Sequence, residues 1–324
     1  MTAGESATRT YINATGYFIP AERVPNSYFA RLHDKPEDWF VQRTGIRTRS
    51  RASAKETIDY MSIRAVQDAM KRLPFAIEEV DLIIFASYSP DDTVGTTAHV
   101  IQREFSIGNA KTLYVSSACS SALNAIEIVR SFFRTGIASK ALVVAADRNS
   151  TYSEDNDPQH GHLWGDGAVA YFLSVERFGN GDMEVVDVET HGLGHIGAGP
   201  SGVFLRPRTE GTRMPYGRDV FNQACIYIEK CSRDILDRNG LDVASLDWFV
   251  SHQANMRIVS HVCRELGLPE ERSLNNIQEL GNTGCGSSLL ALAQNRDKLK
   301  SGDNICVATF GGGYSAGAML LKVL

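Results

Sequence analysis

The sequence predicts a layered α/β protein assembled from two like halves. Near-continuous apolar runs, "VDLIIFAS" (80–87) and "ALVVAAD" (141–147), read as strands buried on both faces of a sheet. Between them a helical pattern places Ala122, Ala125, Ile126, Val129, Phe132 and Phe133 on one face, with Gly136 as its stop. The second half repeats this plan with "LDWFVSHQ" (246–253), a helix over 286–299 and "NICVATF" (304–310).

Spacing sharpens the repeat. Asp81 and Cys119 lie 38 positions apart, as do Asp247 and Cys285. Cys119 to Gly136 and Cys285 to Gly302 are both 17. In each half an Asp precedes a strand, a turn of small residues carries a Cys, and a helix ends at a Gly. Such equal gaps indicate an internal duplication, and two strand–helix–strand units stack into one layered body. The turn-rich segment "VERFGNGDM" (175–183) divides residues 1–177 from 178–324.

Composition narrows the function classes. With 324 residues, 43% hydrophobic and 22% charged, the chain has the make-up of a globular protein of about two domains. A net charge of −5 offers no basic patch for nucleic acid. No stretch approaches the ~18 continuous apolar residues of a membrane span. The opening "MTAGESATRT" has no apolar core, so no signal peptide is expected, and the expected location is the cytoplasm. The six cysteines (119, 225, 231, 263, 285, 306) are widely spaced and form no CxxC, which reads as free thiols. His160, His162, His191 and His195 could be drawn into a metal site, but no acidic cluster accompanies them, so no metal is expected.

Four features sit where chemistry is done. Cys119 follows a predicted strand and opens a helix, where free N–H groups and the helix dipole are expected to lower its pKa; its bland alternative is a small buried hydrophobe. His252 ends a strand, and Asn282 lies in a Gly-rich turn where it could equally cap a helix. "FGGGYSAG" (310–317) can expose backbone N–H groups to an oxyanion or simply form a tight turn. Together they supply a nucleophile, a His, an Asn and an N–H-rich loop, the set a thiol acyl-transfer site needs.

With these motifs in view, the sequence resembles the β-ketoacyl-acyl-carrier-protein synthase III family of thiolase-like condensing enzymes. "DWFVQRTGIRTR" (38–49), "SSACSSAL" (116–123), "WGDGA" (164–168), "DWFVSHQANMRI" (247–258), "GNTG" (281–284) and "FGGGYSAG" carry the resemblance from about residue 10 to the end. It implies a five-layered αβαβα thiolase-like fold with two pseudo-symmetric halves, a homodimer, and a triad of Cys119, His252 and Asn282. It implies no cofactor; the substrates are acyl-coenzyme A or acyl-carrier-protein thioesters. By the family's ping-pong mechanism, Cys119 takes the acyl group, with the N–H groups of Cys119 and Gly312 as oxyanion hole. A malonyl-type extender then loses carbon dioxide, and His252 and Asn282 hold the enolate. Trp39 and Arg43 match positions at the mouth of the coenzyme A tunnel, and Arg257 matches a carrier-protein docking residue.

Two departures refine what the resemblance implies. Where bacterial members place an arginine on the adenine, "NDPQHGHLWGDGA" is two residues shorter, with His160 near that place. This favours a carrier-protein-bound donor. Val94 stands where short-primer members carry a Phe reaching into the partner's acyl pocket, which implies room for longer or branched chains. Both point toward secondary lipid or polyketide metabolism. Alternatives are condensation plus cyclisation to a cyclohexanedione or resorcinol precursor, acyl transfer to oxygen, or a silent partner subunit. A thiolase would need a Cys in the final glycine loop, an elongating ketosynthase a second His, and a papain-like protease a signature around its Cys. Plant-type polyketide synthases share the triad but fit the other motifs less well.

Overall fold

The computed structural model describes residues 8–324, so the expectation about a signal peptide rests largely on residues outside that range. In chain order the first half comprises β1 (Tyr11–Phe18), β2 (Glu22–Pro25), α1 (Asn26–His33), α2 (Glu37–Thr44), β3 (Thr48–Arg51), α3 (Ile58–Met70), β4 (Leu82–Ala86), α4 (Thr97–Glu104), β5 (Lys111–Val115), α5 (Ser121–Arg134), β6 (Lys140–Arg148) and β7 (Asp166–Ser174). The second comprises β8 (Met183–Gly192), β9 (Phe204–Arg206), β10 (Gly211–Arg213), α6 (Gly217–Arg238), β11 (Trp248–Ser251), α7 (Met256–Leu266), α8 (Ile277–Leu280), α9 (Ser287–Gln294), β12 (Asn304–Gly311) and β13 (Ser315–Val323). The division at 177/178 falls in the turn between β7 and β8, where the Asp182 carboxylate accepts from Phe178 N–H at 2.7 Å.

The strands run β11-β12-β13-β8-β1-β7-β6-β4-β5. The two half-sheets meet at one short seam, where Tyr11 and Ile12 of β1 pair with Glu184 and Met183 of β8. Alternation along the strands builds five layers. Leu82, Ile84 and Ala86 of β4 face a shared inner core with α5, α9 and Val250, Ile305 and Val307 of the other half-sheet. Ile83 and Phe85 point the opposite way, beneath α3 and α4. Phe249, Cys306 and Ala308 likewise face α6 and α7. The order is therefore helices, half-sheet, α5 with α9, half-sheet, helices: the expected αβαβα stack. Among the described residues no helix is long and apolar enough to cross a membrane.

The repeated aspartates have a physical explanation. Asp81 N–H donates to the Lys140 carbonyl at 2.9 Å, and its carboxylate accepts from Lys140 N–H at 3.0 Å. Asp247 does the same with Asn304, at 3.0 and 2.8 Å. Each Asp closes the open start of a parallel pair of strands. The halves also differ. The strand β5 is reduced in the second half to one bridge, Ser273 to Phe249. The helix expected over 286–299 stops at Gln294, and a short 3₁₀ turn, Arg296–Lys298, covers the remainder.

Candidate active site

Cys119 lies in the turn between β5 and α5. Ala118, just before it, has φ +48°, a left-handed conformation that costs a non-glycine residue roughly 1–2 kcal/mol. Hydroxyls hold this turn. Ser121 Oγ accepts from Ser117 N–H at 2.7 Å and donates to the Ala118 carbonyl at 2.6 Å. Ser120 Oγ meets Ser315 Oγ at 2.7 Å, and Ser315 Oγ donates to the Ser117 carbonyl at 3.1 Å. These contacts staple the Cys119 turn to the β12–β13 hairpin.

That hairpin is the "FGGGYSAG" segment, with Gly311 paired to Ser315. Its glycines permit a close approach. A Cβ on Gly311 would lie 2.5 Å from Cys119 N, and one on Gly312 would lie 2.9 Å from the Val203 carbonyl. Gly312 N–H lies near enough to the Cys119 thiol to favour its charged form. The loop therefore brings a backbone N–H close to Cys119.

His252 follows β11 directly, its N–H bonded to the Ala308 carbonyl at 2.8 Å. Its Nδ1 lies 2.7 Å from Ser287 Oγ at the start of α9. Asn282 follows Gly281, whose φ is +68°. Its Oδ1 accepts from Gly284 N–H at 3.0 Å, which leaves its amide hydrogens for the cavity. Its backbone is clamped to the "WGDGA" segment: Asn282 N–H donates to the Leu163 carbonyl at 2.8 Å, and Gly165 N–H donates to the Asn282 carbonyl at 2.9 Å. Asn149 Nδ2 adds bonds to the Gly165 and Asn282 carbonyls at 2.8 and 3.2 Å. The two halves are thus hydrogen-bonded together at the site.

Cys119, His252, Asn282 and Gly312 all line one cavity of about 710 Å³. Burial pushes the His252 pKa down to about 4, so its imidazole is neutral near pH 7. The expectation for Cys119 is overturned: its pKa is pushed up, to about 12. Burial dominates, and the nearby Asp147 carboxylate adds to it; the Tyr88 hydroxyl and Gly312 N–H oppose both. The thiol faces a cavity inside the protein. The leading N–H groups of Ser120 and Ser121 are engaged by the Ser117 and Ala118 carbonyls at 3.1 and 3.2 Å, which weakens the helix-end effect. Near pH 7 the cavity therefore holds Cys119 as a thiol and His252 as a neutral imidazole.

Trp39, Arg43 and Arg257 also line the cavity. The Arg43 guanidinium lies 4.6 Å from the Trp39 ring centroid, and that of Arg257 5.6 Å from Phe221. Two expected residues do not line it in this chain. Val94 is 82% exposed on the loop before α4. His160 is corrected: it is buried, its Nδ1 accepting from Trp164 Nε1 at 3.3 Å and its Nε2 lying 3.1 Å from Asp157, so it supports the wall from behind. His162 is the one that faces inward.

The sequence reading missed His162, Met214, Arg218 and Phe221 as lining residues. For α6 the signal was available, since Val220, Phe221, Ala224 and Ile228 follow helical spacing. "WGDGA" also proves architectural. Its buried Asp166 accepts from Ala52 N–H at 2.8 Å, Ser150 N–H at 2.9 Å and Ser150 Oγ at 2.6 Å. Arg49 of "RTGIRTR" is fully buried, and its Nε donates to the His162 carbonyl at 2.5 Å.

Comparison with known proteins agrees with this geometry. The family model for 3-oxoacyl-[acyl-carrier-protein (ACP)] synthase III matches residues 114–194, and the one for its C-terminal part matches residues 236–323. The chain is 37% identical over 333 residues to the β-ketoacyl-[acyl-carrier-protein] synthase III 2 of Deinococcus radiodurans, covering 99% of this chain and 97% of that protein. The crystal structure of 3-oxoacyl-[acyl-carrier-protein] synthase III from Aquifex aeolicus superposes with a TM-score of 0.90 at 30% identity, over 97% of this chain and 99% of the other. The priming β-ketosynthase of the R1128 polyketide pathway superposes at 0.88 with 25% identity, over 99% of each. With its Cys119 turn, its glycine hairpin and its five layers, the chain belongs to the β-ketoacyl-[acyl-carrier-protein] synthase III family of condensing enzymes.

Proposed function

We propose that the chain joins a Cys119-bound acyl group to a malonyl-type thioester by decarboxylative Claisen condensation, or to a 3-oxoacyl-type thioester by Claisen condensation without loss of carbon dioxide. The observation that carries this reading is the convergence of Cys119, a neutral His252, Asn282 and Gly312 on one cavity. Cys119 Sγ attacks the donor carbonyl, and its proton leaves with the departing thiol. The tetrahedral oxyanion lies against the N–H groups of Cys119 and Gly312. The malonyl extender then breaks its carboxyl–carbon bond. Carbon dioxide departs, and the electron pair becomes an enolate whose oxygen accepts from His252 and Asn282. The carbanion attacks the acyl carbonyl, and the Cys119 thiolate is expelled and reprotonated. Two neutral donors match an enolate oxygen without leaving a charge buried in the empty site.

Arg43, Arg218 and Arg257 lie along the cavity with no carboxylate within salt-bridge distance among the described residues. This favours a phosphate-bearing pantetheine arm, delivered by acyl carrier protein or coenzyme A. Among the described residues no strand pairs with the outer edge of β5, which presents half-exposed Leu113, Tyr114 and Val115; this supports a homodimer through that edge. Val94, exposed on a loop, would then reach a partner's pocket; Val94→Phe is expected to shorten the preferred acyl chain. The likeness to a polyketide priming enzyme supports a place in secondary lipid or polyketide metabolism.

The test is intact-protein mass spectrometry after incubation with acyl-coenzyme A and acyl-carrier-protein donors. A single acyl adduct that disappears in Cys119→Ala is the expected result. No adduct from any donor, or one that persists in the variant, would overturn the reading.

A further inference from the structure

We infer that Ser287 is a positioning residue that fixes His252 as the tautomer protonated on Nε2, so that a neutral N–H faces the cavity. This rests on the condensation reading and adds to it the residue that sets which ring nitrogen donates.

The number of hydrogens on the Ser287 hydroxyl decides the tautomer. Ser287 is fully buried at the first turn of α9. Its Oγ has two contacts: it accepts from Gln253 N–H at 3.2 Å, and it lies 2.7 Å from His252 Nδ1. A hydroxyl carries one hydrogen. If Nδ1 were protonated, it would donate to Oγ, and the Ser287 hydrogen would be left buried without an acceptor. An orphaned buried donor is strongly disfavoured. If Nδ1 is bare, Ser287 O–H donates to it and both groups are satisfied. The ring's one proton then resides on Nε2.

The second proton that would make an imidazolium is resisted as well, because burial holds the ring neutral. The neighbouring donor is oriented by the same logic. Asn282 Oδ1 is held by Gly284 N–H at 3.0 Å, which turns the amide N–H₂ toward the cavity. Ser287 and Gly284, three residues apart, thus aim both enolate donors. A wrong tautomer would present a lone pair to the enolate oxygen, which is repulsive.

The experiment uses the full-length protein labelled with ¹⁵N-histidine, with His252→Asn to assign the ring. In the wild type the long-range ¹⁵N–¹H pattern is expected to show Nε2 protonated and Nδ1 bare from pH 6 to 8. A ring protonated on Nδ1, or doubly protonated, would overturn the inference even if no variant folds. In Ser287→Ala the Nε2–H preference is expected to weaken. Carbon dioxide release from a malonyl thioester should fall about 10–100-fold, the scale of loss when the hydrogen-bond partner of a metal-bound imidazole is removed. Acylation of Cys119, read by mass, should be unchanged. Equal loss of acylation and decarboxylation would assign Ser287 a purely structural role and overturn the inference. Absence of acylation in the wild type would sink the condensation reading instead, while the tautomer is still read directly, so the two fail separately.

Discussion

The turns at Cys119 and Cys285 occupy equivalent places in the two halves and do different work. In both, the residue before the Cys is left-handed: Ala118 at φ +48° and Gly284 at +77°. In both, a Ser opens the following helix. Ser121 bonds only within its own turn. Ser287 reaches across to His252 and Gln253. Cys119 faces the cavity beneath Gly312. Cys285 is sealed, its N–H donating to the Asp147 carboxylate at 2.7 Å and its thiol to the Ala86 carbonyl at 3.4 Å. One of the two equivalent turns opens its Cys onto the cavity, and the other, the frame turn, seals its Cys while holding His252 and Asn282.

The strongest way to probe this difference is at the left-handed residues. A Cβ on Gly284 would lie 2.1 Å from Asp147 Oδ2, in a conformation already unfavourable for alanine. Gly284→Ala is expected to cost about 4 kcal/mol from strain and overpacking combined. Ala118→Gly relieves its left-handed strain while loosening the unfolded chain, and should stay within about 1 kcal/mol. Urea unfolding midpoints decide it. Equal effects at the two positions would mean that the turns are not packed as differently as described.

Acid tests the frame turn through its His. The unfolded chain takes up a proton on His252 near pH 6.5, whereas the native ring does so only near 4. Its folded pKa is depressed, so stability falls as pH drops from about 6.5 to 4 and is unaffected by this ring above 6.5. The ring is 4% exposed, and the loss amounts to about 3 kcal/mol. Stability measured from pH 7 to 4 should show a shallower acid limb in His252→Gln. An unchanged limb would place His252 in a more solvated setting.

Much of this was legible in the sequence, and the failures have physical causes. Strand ends, the Cys119, His252 and Asn282 constellation and the duplication follow from period, spacing and residue type, which local chemistry sets. The Cys119 pKa does not, because helix-end logic concerns one element. Burial and the Asp147 field come from β6 and from the closing of the second half over the first. His160 and His162 are two residues apart with opposite fates: His160 is tied to Trp164 and Asp157, and His162 lines the cavity. Val94 is set on an exposed loop, and no pattern within one chain says what a loop will meet.

Asp147 couples the two turns, which gives a smaller effect with a definite sign. Its Oδ1 accepts from Ser87 Oγ, Tyr88 N–H, Ser89 N–H and Ser89 Oγ at 2.8–3.1 Å, while Oδ2 takes Cys285 N–H. Its charge raises the Cys119 pKa, second to burial. Asp147→Asn removes that charge, so the thiol pKa falls and iodoacetamide should modify Cys119 several-fold faster at pH 8. The new amide opposes Cys285 N–H, at a cost of about 1–3 kcal/mol. Slower alkylation in a variant that remains folded would contradict the field described here.

The smallest effect should come from Cys285→Ser, and its smallness is informative. A hydroxyl can still donate to the Ala86 carbonyl in place of the thiol. The change replaces a weak donor by a shorter, stronger one in a sealed site, and stability should shift by about 1 kcal/mol. Acylation and condensation should persist, because the Cys285 sulphur does not line the cavity. The same exchange at Cys119 removes the sulphur proposed to carry the acyl group, and acylation should fall by orders of magnitude. Comparable losses in the two variants would mean that the frame turn takes part in the chemistry after all, and the division of labour between the duplicated turns would have to be redrawn.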